Sequence, residues 1–124
     1  HAKQLVSLPV ALLETAFNIP ASDLLVYGNA PHMHLLGTRI VSSVGDQVLT
    51  EIPRWDFHWQ QSYSFQTPLA VSKNDSFQLE CDYDNSQSHQ PILDGMQQTP
   101  RDVTWGEGTL DEMCLNFVSV TVKQ

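Results

Sequence analysis

Positive charge is scarce in this 124-residue chain: six Lys and Arg stand against 14 Asp and Glu, for a formal net charge of −8. Such a surface repels phosphate backbones, which argues against nucleic acid as a partner. It also gives no electrostatic help on an anionic membrane. Long apolar runs are missing too. None approaches the roughly 20 residues that a membrane span needs, and no secretory leader is visible. The chain starts at His1 without a Met and so reads as a mature form or an excised segment. Internal repeats, low-complexity tracts and charge blocks are absent, and Pro and Gly are scattered as punctuation rather than gathered into a linker. With 41% hydrophobic residues the composition is that of a globular protein. One domain over residues 1–124 is expected, long enough for one hydrophobic core.

Cysteine is limited to Cys81 and Cys114, and no C-x-x-C pair occurs. Two readings stay open: two buried free thiols, or one disulfide. A bridge would close a loop of just over thirty residues, worth roughly 3–4 kcal/mol on the chain-entropy account. It would belong in an oxidising compartment, that is secreted, periplasmic or lumenal. Several metal patterns are missing as well. There is no paired four-ligand Cys/His spacing for structural zinc and no H-E-x-x-H. Cys114 is followed by Leu-Asn-Phe rather than by the His and Met of a blue-copper site.

What the chain does contain is strand signals. QLVSLPV is interrupted by Pro9 and reads as at most an edge strand. LETAFNIP has partial helical spacing that Pro20 stops. DLLVYGNAPHMHLL reads as a strand with an irregularity at Gly28-Asn29. TRIVSSV, Gly45-Asp46 and QVLTEIP read as a hairpin. WDFHWQQSYSF reads as an aromatic strand with Phe57, Trp59 and Gln61 on one side. SFQLECDY places Phe77, Leu79, Cys81 and Tyr83 on one face, and EMCLNFVSVTV is the clearest strand. Residues 84–111 are the longest irregular stretch, and such stretches in compact domains usually serve function. About eight short antiparallel strands with regular turn signals predict an all-β sandwich, with a jelly roll as the expected version.

Two histidines stand out in PHMHLLGTRI, residues 31–40. On a strand, His32 and His34 would point to the same face. Their neighbours Ala30, Met33, Leu35 and Leu36 are apolar, so the pair is expected to be partly buried, and buried imidazoles need partners. A metal is one such partner. The Glu that a cupin places a few residues after its His-x-His is missing. The second element is WGEGTLDEMCLNF, residues 105–117, in which Met113 stands next to Cys114. A Met is usually core filler, but a thioether is also a soft ligand that selects copper, above all Cu(I).

HMHLLG and DEMC together closely resemble the C-terminal domain of the copper type II ascorbate-dependent monooxygenases, the family of peptidylglycine alpha-hydroxylating and dopamine beta-monooxygenases. The likeness runs from about Leu24 to Val122. It includes CDYDNS, similar to the strand that carries the partner cysteine, and WDFHWQ, similar to an aromatic segment of bacterial members. The two motifs are each weak alone but specific as an ordered pair about eighty residues apart. The resemblance implies a jelly roll with a disulfide Cys81–Cys114. It implies one copper, cycling between Cu(I) and Cu(II), held by His32, His34 and Met113 at the place where O2 is activated for C–H hydroxylation. It further implies an external reductant such as ascorbate and a small-molecule or peptide substrate.

Two departures qualify that implication. The family's N-terminal jelly roll, with a second copper on three histidines, has no counterpart in these 124 residues. The chain therefore reads as the oxygen-activating half, served by an N-terminal copper domain or another electron donor. The alternative is a stand-alone copper-binding or electron-transfer module without hydroxylase activity. Phe117 also stands where family members carry a Tyr four residues after the Met, which removes a hydroxyl. Among the other histidines, His58 is expected to pack in the aromatic strand and His89 to be solvated in the long loop. His1 could chelate copper only as a true N-terminus. Asp82, Asp84, Asp94, Asp102, Asp111 and Glu112 lack calcium-loop spacing and read as a solvated acidic face. Arg39, Arg54 and Arg101 are dispersed, with no clamp for a carboxylate.

Overall fold

Strand periodicity and turn chemistry account for most elements of the computed structural model, which describes residues 1–124. The first strand, β1 (Ala2–Pro9), runs directly into the helix α1 (Val10–Phe17). LETAFNIP thus resolves as a short helix. Asn18 ends it in the left-handed conformation at φ 52°, which Asn tolerates, and Pro20 follows. Seven further strands follow: β2 (Leu24–His32), β3 (Gly37–Val44), β4 (Gln47–Ile52), β5 (Tyr63–Ala70), β6 (Ser76–Tyr83), and the short β7 (Ile92–Leu93) and β8 (Met96–Gln97). The last strand is β9 (Leu115–Val122).

All strand pairs are antiparallel, in a four-stranded sheet of order β1-β6-β3-β4, a three-stranded sheet of order β5-β2-β9 and a β7-β8 hairpin. This is the expected all-β sandwich. Two of the nine strands, β7 and β8, form the small hairpin inside the long irregular stretch. β1 is indeed an edge strand. The register of β2 shifts between Val26 and Gly28 against both neighbours, the irregularity expected there. Gly28 is required because a Cβ would lie 2.6 Å from the Tyr63 carbonyl oxygen. The β3–β4 hairpin turns on Gly45-Asp46, with Gly45 at φ 56°, a value that suits glycine at the first central position.

The aromatic segment differs from expectation. Phe57–Trp59 form a single 3-10 turn, and the strand begins only at Tyr63. The cause is local: the Asp56 side chain accepts the His58 N–H at 2.9 Å, which offers the backbone a turn in place of a ladder. The final strand also starts later than expected, at Leu115, leaving Met113 and Cys114 just before it.

Two clusters form the core. Val10, Ala21, Leu24, Val26, Val44 and Val71 lie between the sheets, with Phe77 and Val118 packed on them. Met33, Ile40, Leu79, Cys81 and Cys114 form the second, beside Trp55 and Tyr83. Gly37 serves this second cluster, since a Cβ there would lie 2.7 Å from Met33 Cε. Ion pairs lie on the four-stranded sheet. Lys3 and Arg39 share Glu80 at 2.6 and 2.8 Å, and Arg39 also meets Glu51 at 3.1 Å. Lys3 first and Arg39 next hold the Glu80 carboxyl below its usual range. That contribution is present at neutral pH and fades on acidification through the ordinary carboxylate range, and it is small because the groups face solvent.

Cys81 and Cys114 are disulfide-bonded across 33 residues, with Cα atoms 6.0 Å apart, an ordinary spacing. The bond ties β6 to the residue before β9, and so one sheet to the other. Replacing both cysteines by Ser should destabilise the protein by about 2–5 kcal/mol, read as a lower urea midpoint. Buried hydroxyls in place of buried sulfurs push the cost toward the upper end. An unchanged midpoint would mean that the bridge carries none of the fold's stability.

Candidate metal centre

His32 is the last residue of β2, and His34 lies beyond it, before a turn at Leu35-Leu36. The strand argument for a shared face therefore covers only the first of the two. The rings nevertheless meet edge to face, with centroids 5.0 Å apart. Other contacts, not strand pleating, bring the second ring into position.

Three contacts hold residue 34. Its backbone N–H donates to Glu112 Oε2 at 2.9 Å. Its carbonyl accepts from Trp55 Nε1 at 3.0 Å. Its ring Nδ1 lies 2.9 Å from the Asp111 carbonyl oxygen. A carbonyl can only accept, so Nδ1 is the protonated nitrogen and donates. His32 is arranged alike: its Nδ1 lies 2.6 Å from Gln60 Oε1, while Gln60 Nε2 donates to the Phe57 carbonyl at 2.9 Å. That second bond fixes the amide so that its oxygen faces the imidazole. With Nδ1 as the donor, the neutral form of each ring keeps its lone pair on Nε2. Anchoring one ring nitrogen on an oxygen and freeing the other is how proteins orient histidines that bind metals.

Glu112 organises the rest. Its Oε1 accepts the Leu36 N–H at 2.7 Å, and its Oε2 accepts the N–H groups of His34 at 2.9 Å and Met113 at 3.2 Å. One carboxylate oxygen thus joins the backbones of His34 and Met113, which are far apart in sequence. Glu112 is 8% exposed, so for this residue the expected solvated acidic face is wrong. Burial is offset by charge-assisted bonds from backbone donors. Asp111 has a different role. Its carboxylate accepts the Gly108 N–H at 3.0 Å, and a Cβ at Gly106 would strike it. The WGEG loop wraps this carboxylate, which leaves the Asp111 carbonyl turned to His34.

Met113 is buried, at 9% exposure. Beyond its bond to Glu112, its carbonyl accepts from the Tyr83 hydroxyl at 3.0 Å, and its neighbour Cys114 is in the disulfide. Burial, and after it the charge of Glu112, push the Tyr83 phenol above its ordinary range, so it stays a donor. The unfolded chain loses that proton first, and stability falls as pH rises past about 10.

The structure does not bring the remaining histidines into this cluster. His58 is exposed on the 3-10 turn, not packed as expected, because the segment is not a strand. His89 is half-buried and, with His58, lines a separate groove of about 330 Å³ beside Trp55 and Pro91. His1 is 85% exposed. Sequence reasoning missed Glu112, Gln60, Trp55 and Tyr83 as supports. The one available signal was the acidic pair directly before Met113.

A donor set of two imidazole nitrogens and a thioether would be neutral and partly soft, which suits copper, and Cu(I) above all. It would not fit calcium or magnesium, which need oxygen. A protein-family model described as copper type II ascorbate-dependent monooxygenase, C-terminal domain, matches residues 10–120. That span holds His32, His34, Cys81, Met113 and Cys114.

Proposed function

Because the chain belongs to the copper type II ascorbate-dependent monooxygenase family, as its C-terminal domain, we propose that residues 1–124 act as one copper-binding domain. His32 Nε2, His34 Nε2 and the Met113 thioether hold a single copper, where O2 is used to hydroxylate a C–H bond. The observation that carries the reading is the pair of adjoining imidazoles, each anchored through Nδ1 with Nε2 free. A second observation supports the third ligand. No three His, Cys, Asp or Glu side chains converge anywhere in the molecule, so a site with three protein ligands must draw on another donor type. Met113, tied to His34 through Glu112, is the soft donor at hand.

Bound there, copper would supply one-electron exchange and open positions for oxygen, with the sulfur favouring the reduced ion. The chain's own residues set the conditions. Gln60 and Asp111 hold both rings in one tautomer and one orientation. Glu112, Tyr83 and the disulfide hold the Met113 backbone in place. Phe57 packs edge to face on His34, with ring centroids 6.0 Å apart. Electrons come from outside the domain, from a reductant such as ascorbate through an N-terminal copper domain or another donor. The substrate is a small molecule or peptide. The disulfide fits an oxidising compartment, secreted, periplasmic or lumenal.

The test is X-ray absorption on the Cu(I)-loaded protein. One copper per chain and one sulfur scatterer are expected, and Met113→Ala should remove that scatterer and weaken Cu(I) far more than Cu(II). An unchanged spectrum would return Met113 to the core. Copper bound in this way but no hydroxylated product with ascorbate and a complete electron donor would leave a copper-binding module.

A further inference from the structure

Charge is divided unevenly between the two sheets. The four-stranded sheet carries Lys3, Arg39, Glu51, Glu80 and Asp82, joined in ion pairs. The three-stranded sheet that bears His32 contains no Asp, Glu, Lys or Arg in any of its strands, in a chain where 16% of residues are charged. His32 is the last residue of β2, so this uncharged sheet reaches the candidate metal centre.

The register defines that surface. His32 lies opposite Leu115, and Ala30 opposite Phe117. Directly opposed residues share a face, as do positions two apart on a strand. The alternate positions turn inward: Asn29 is buried and bonded to Ser42 and Asn116, and Val118 packs in the core. The outer face at this end is therefore His32, Ala30, Leu115 and Phe117. Phe117 is 65% exposed, a large aromatic side chain with no part in the core. It is the diagonal neighbour of His32, a separation of about 7–8 Å that an aromatic side chain spans.

None of the six Lys and Arg lies in a strand of this sheet; Arg54 and Lys73 stand in loops outside it. Lys3 and Arg39 are paired within the other sheet, Lys123 Nζ donates to the Ser22 carbonyl, and Arg101 donates to the Leu110 carbonyl. Recognition of a carboxylate calls for an Arg fork or a Lys. An exposed phenyl ring on an uncharged sheet instead takes apolar groups by burial and ring packing.

We infer that the substrate of this site presents an uncharged aromatic or aliphatic group, seated on Phe117, Ala30 and Leu115 beside His32. The reacting end of this inference rests on the copper site proposed above; the contact surface does not. The test uses two probes matched in shape, 4-ethylbenzamide and 4-ethylbenzoate, titrated into the full chain with and without Cu(I). Salt of about 0.5 M screens the general negative charge. NMR signals of the Phe117 ring and the Ala30 methyl report the contact.

The amide probe should shift both signals, and the benzoate should bind at least several-fold more weakly. Phe117→Ala should weaken the amide probe by about 3- to 10-fold and leave copper affinity unchanged. Phe117→Arg should reverse the preference toward the benzoate. Equal binding of both probes, or no effect of Phe117→Ala, would overturn the inference. So would concentration-dependent shifts of Phe117 without any probe, which would make this face a protein interface. Failure of the copper site would appear separately, as copper retained when His32 and His34 are replaced, with the probe result still standing.

Discussion

Replacing His32 and His34 together by Ala is expected to remove tight copper binding. Losing a single outer partner of a metal-bound histidine typically costs 10–100-fold in affinity, so losing two ligands should cost on the order of a thousandfold or more. The fold should survive. Glu112 and Trp55 hold the backbone of residue 34, not its ring, and an Ala there keeps both bonds. The measurement is competition for Cu(I) against a chromophoric chelator, with circular dichroism as the folding control. Gln60→Ala is the graded companion. It frees His32 Nδ1 without touching a ligand, and a loss of about tenfold is expected. Full retention of tight copper by the double variant would sink the ligand assignment.

Glu112→Gln is expected to be the most damaging substitution that leaves every proposed ligand in place. The carboxylate accepts three backbone N–H groups through two oxygens. Glutamine has one carbonyl oxygen, and its amide nitrogen would face a backbone donor. At least one buried N–H is then left unpaired and the remaining bonds lose their charge assistance, for a destabilisation of roughly 3–5 kcal/mol. Copper affinity should fall with it, because the same oxygen registers His34 against Met113. Glu112→Asp, one methylene shorter, cannot reach Leu36 and His34 together and should recover only part of the loss. Urea denaturation of both variants, followed by Cu(I) titration under folding conditions, gives the two numbers. Stability within about 0.5 kcal/mol of the parent, the range of an ordinary surface change, would make Glu112 a bystander.

The disulfide bears on the same point. If it only stabilises the fold, the Cys81→Ser/Cys114→Ser protein, kept folded, should bind Cu(I) as the parent does. If it also registers Met113, affinity should drop while the His32–His34 contact persists.

Features governed by neighbours in sequence were legible without the structure. Alternation over SFQLECDY placed Leu79 and Cys81 inward, because strand period is a local property. Gly45-Asp46 announced the β3–β4 turn, and Gly28 the irregularity in β2. Apolar flanks foretold a buried His34. Where a local competitor was present, alternation misled: Asp56 caps its own turn and removes Phe57–Trp59 from the sheet.

By itself, the sequence determined the all-β class, the edge position of β1, the pairing of its only two cysteines once oxidised, and the motifs that carry the family resemblance. Only the tertiary structure decided that the two imidazoles meet although the strand ends between them. It also decided that Glu112 is an internal clamp and not a solvated acid, and that the sheet around His32 is bare of charge on its outer face. The reason lies in range. Periodicity, turns and caps are set by residues within a few positions of one another. A carboxylate that gathers N–H groups from positions 34, 36 and 113 exists only once sheets fold over each other and bring remote backbones within hydrogen-bonding distance.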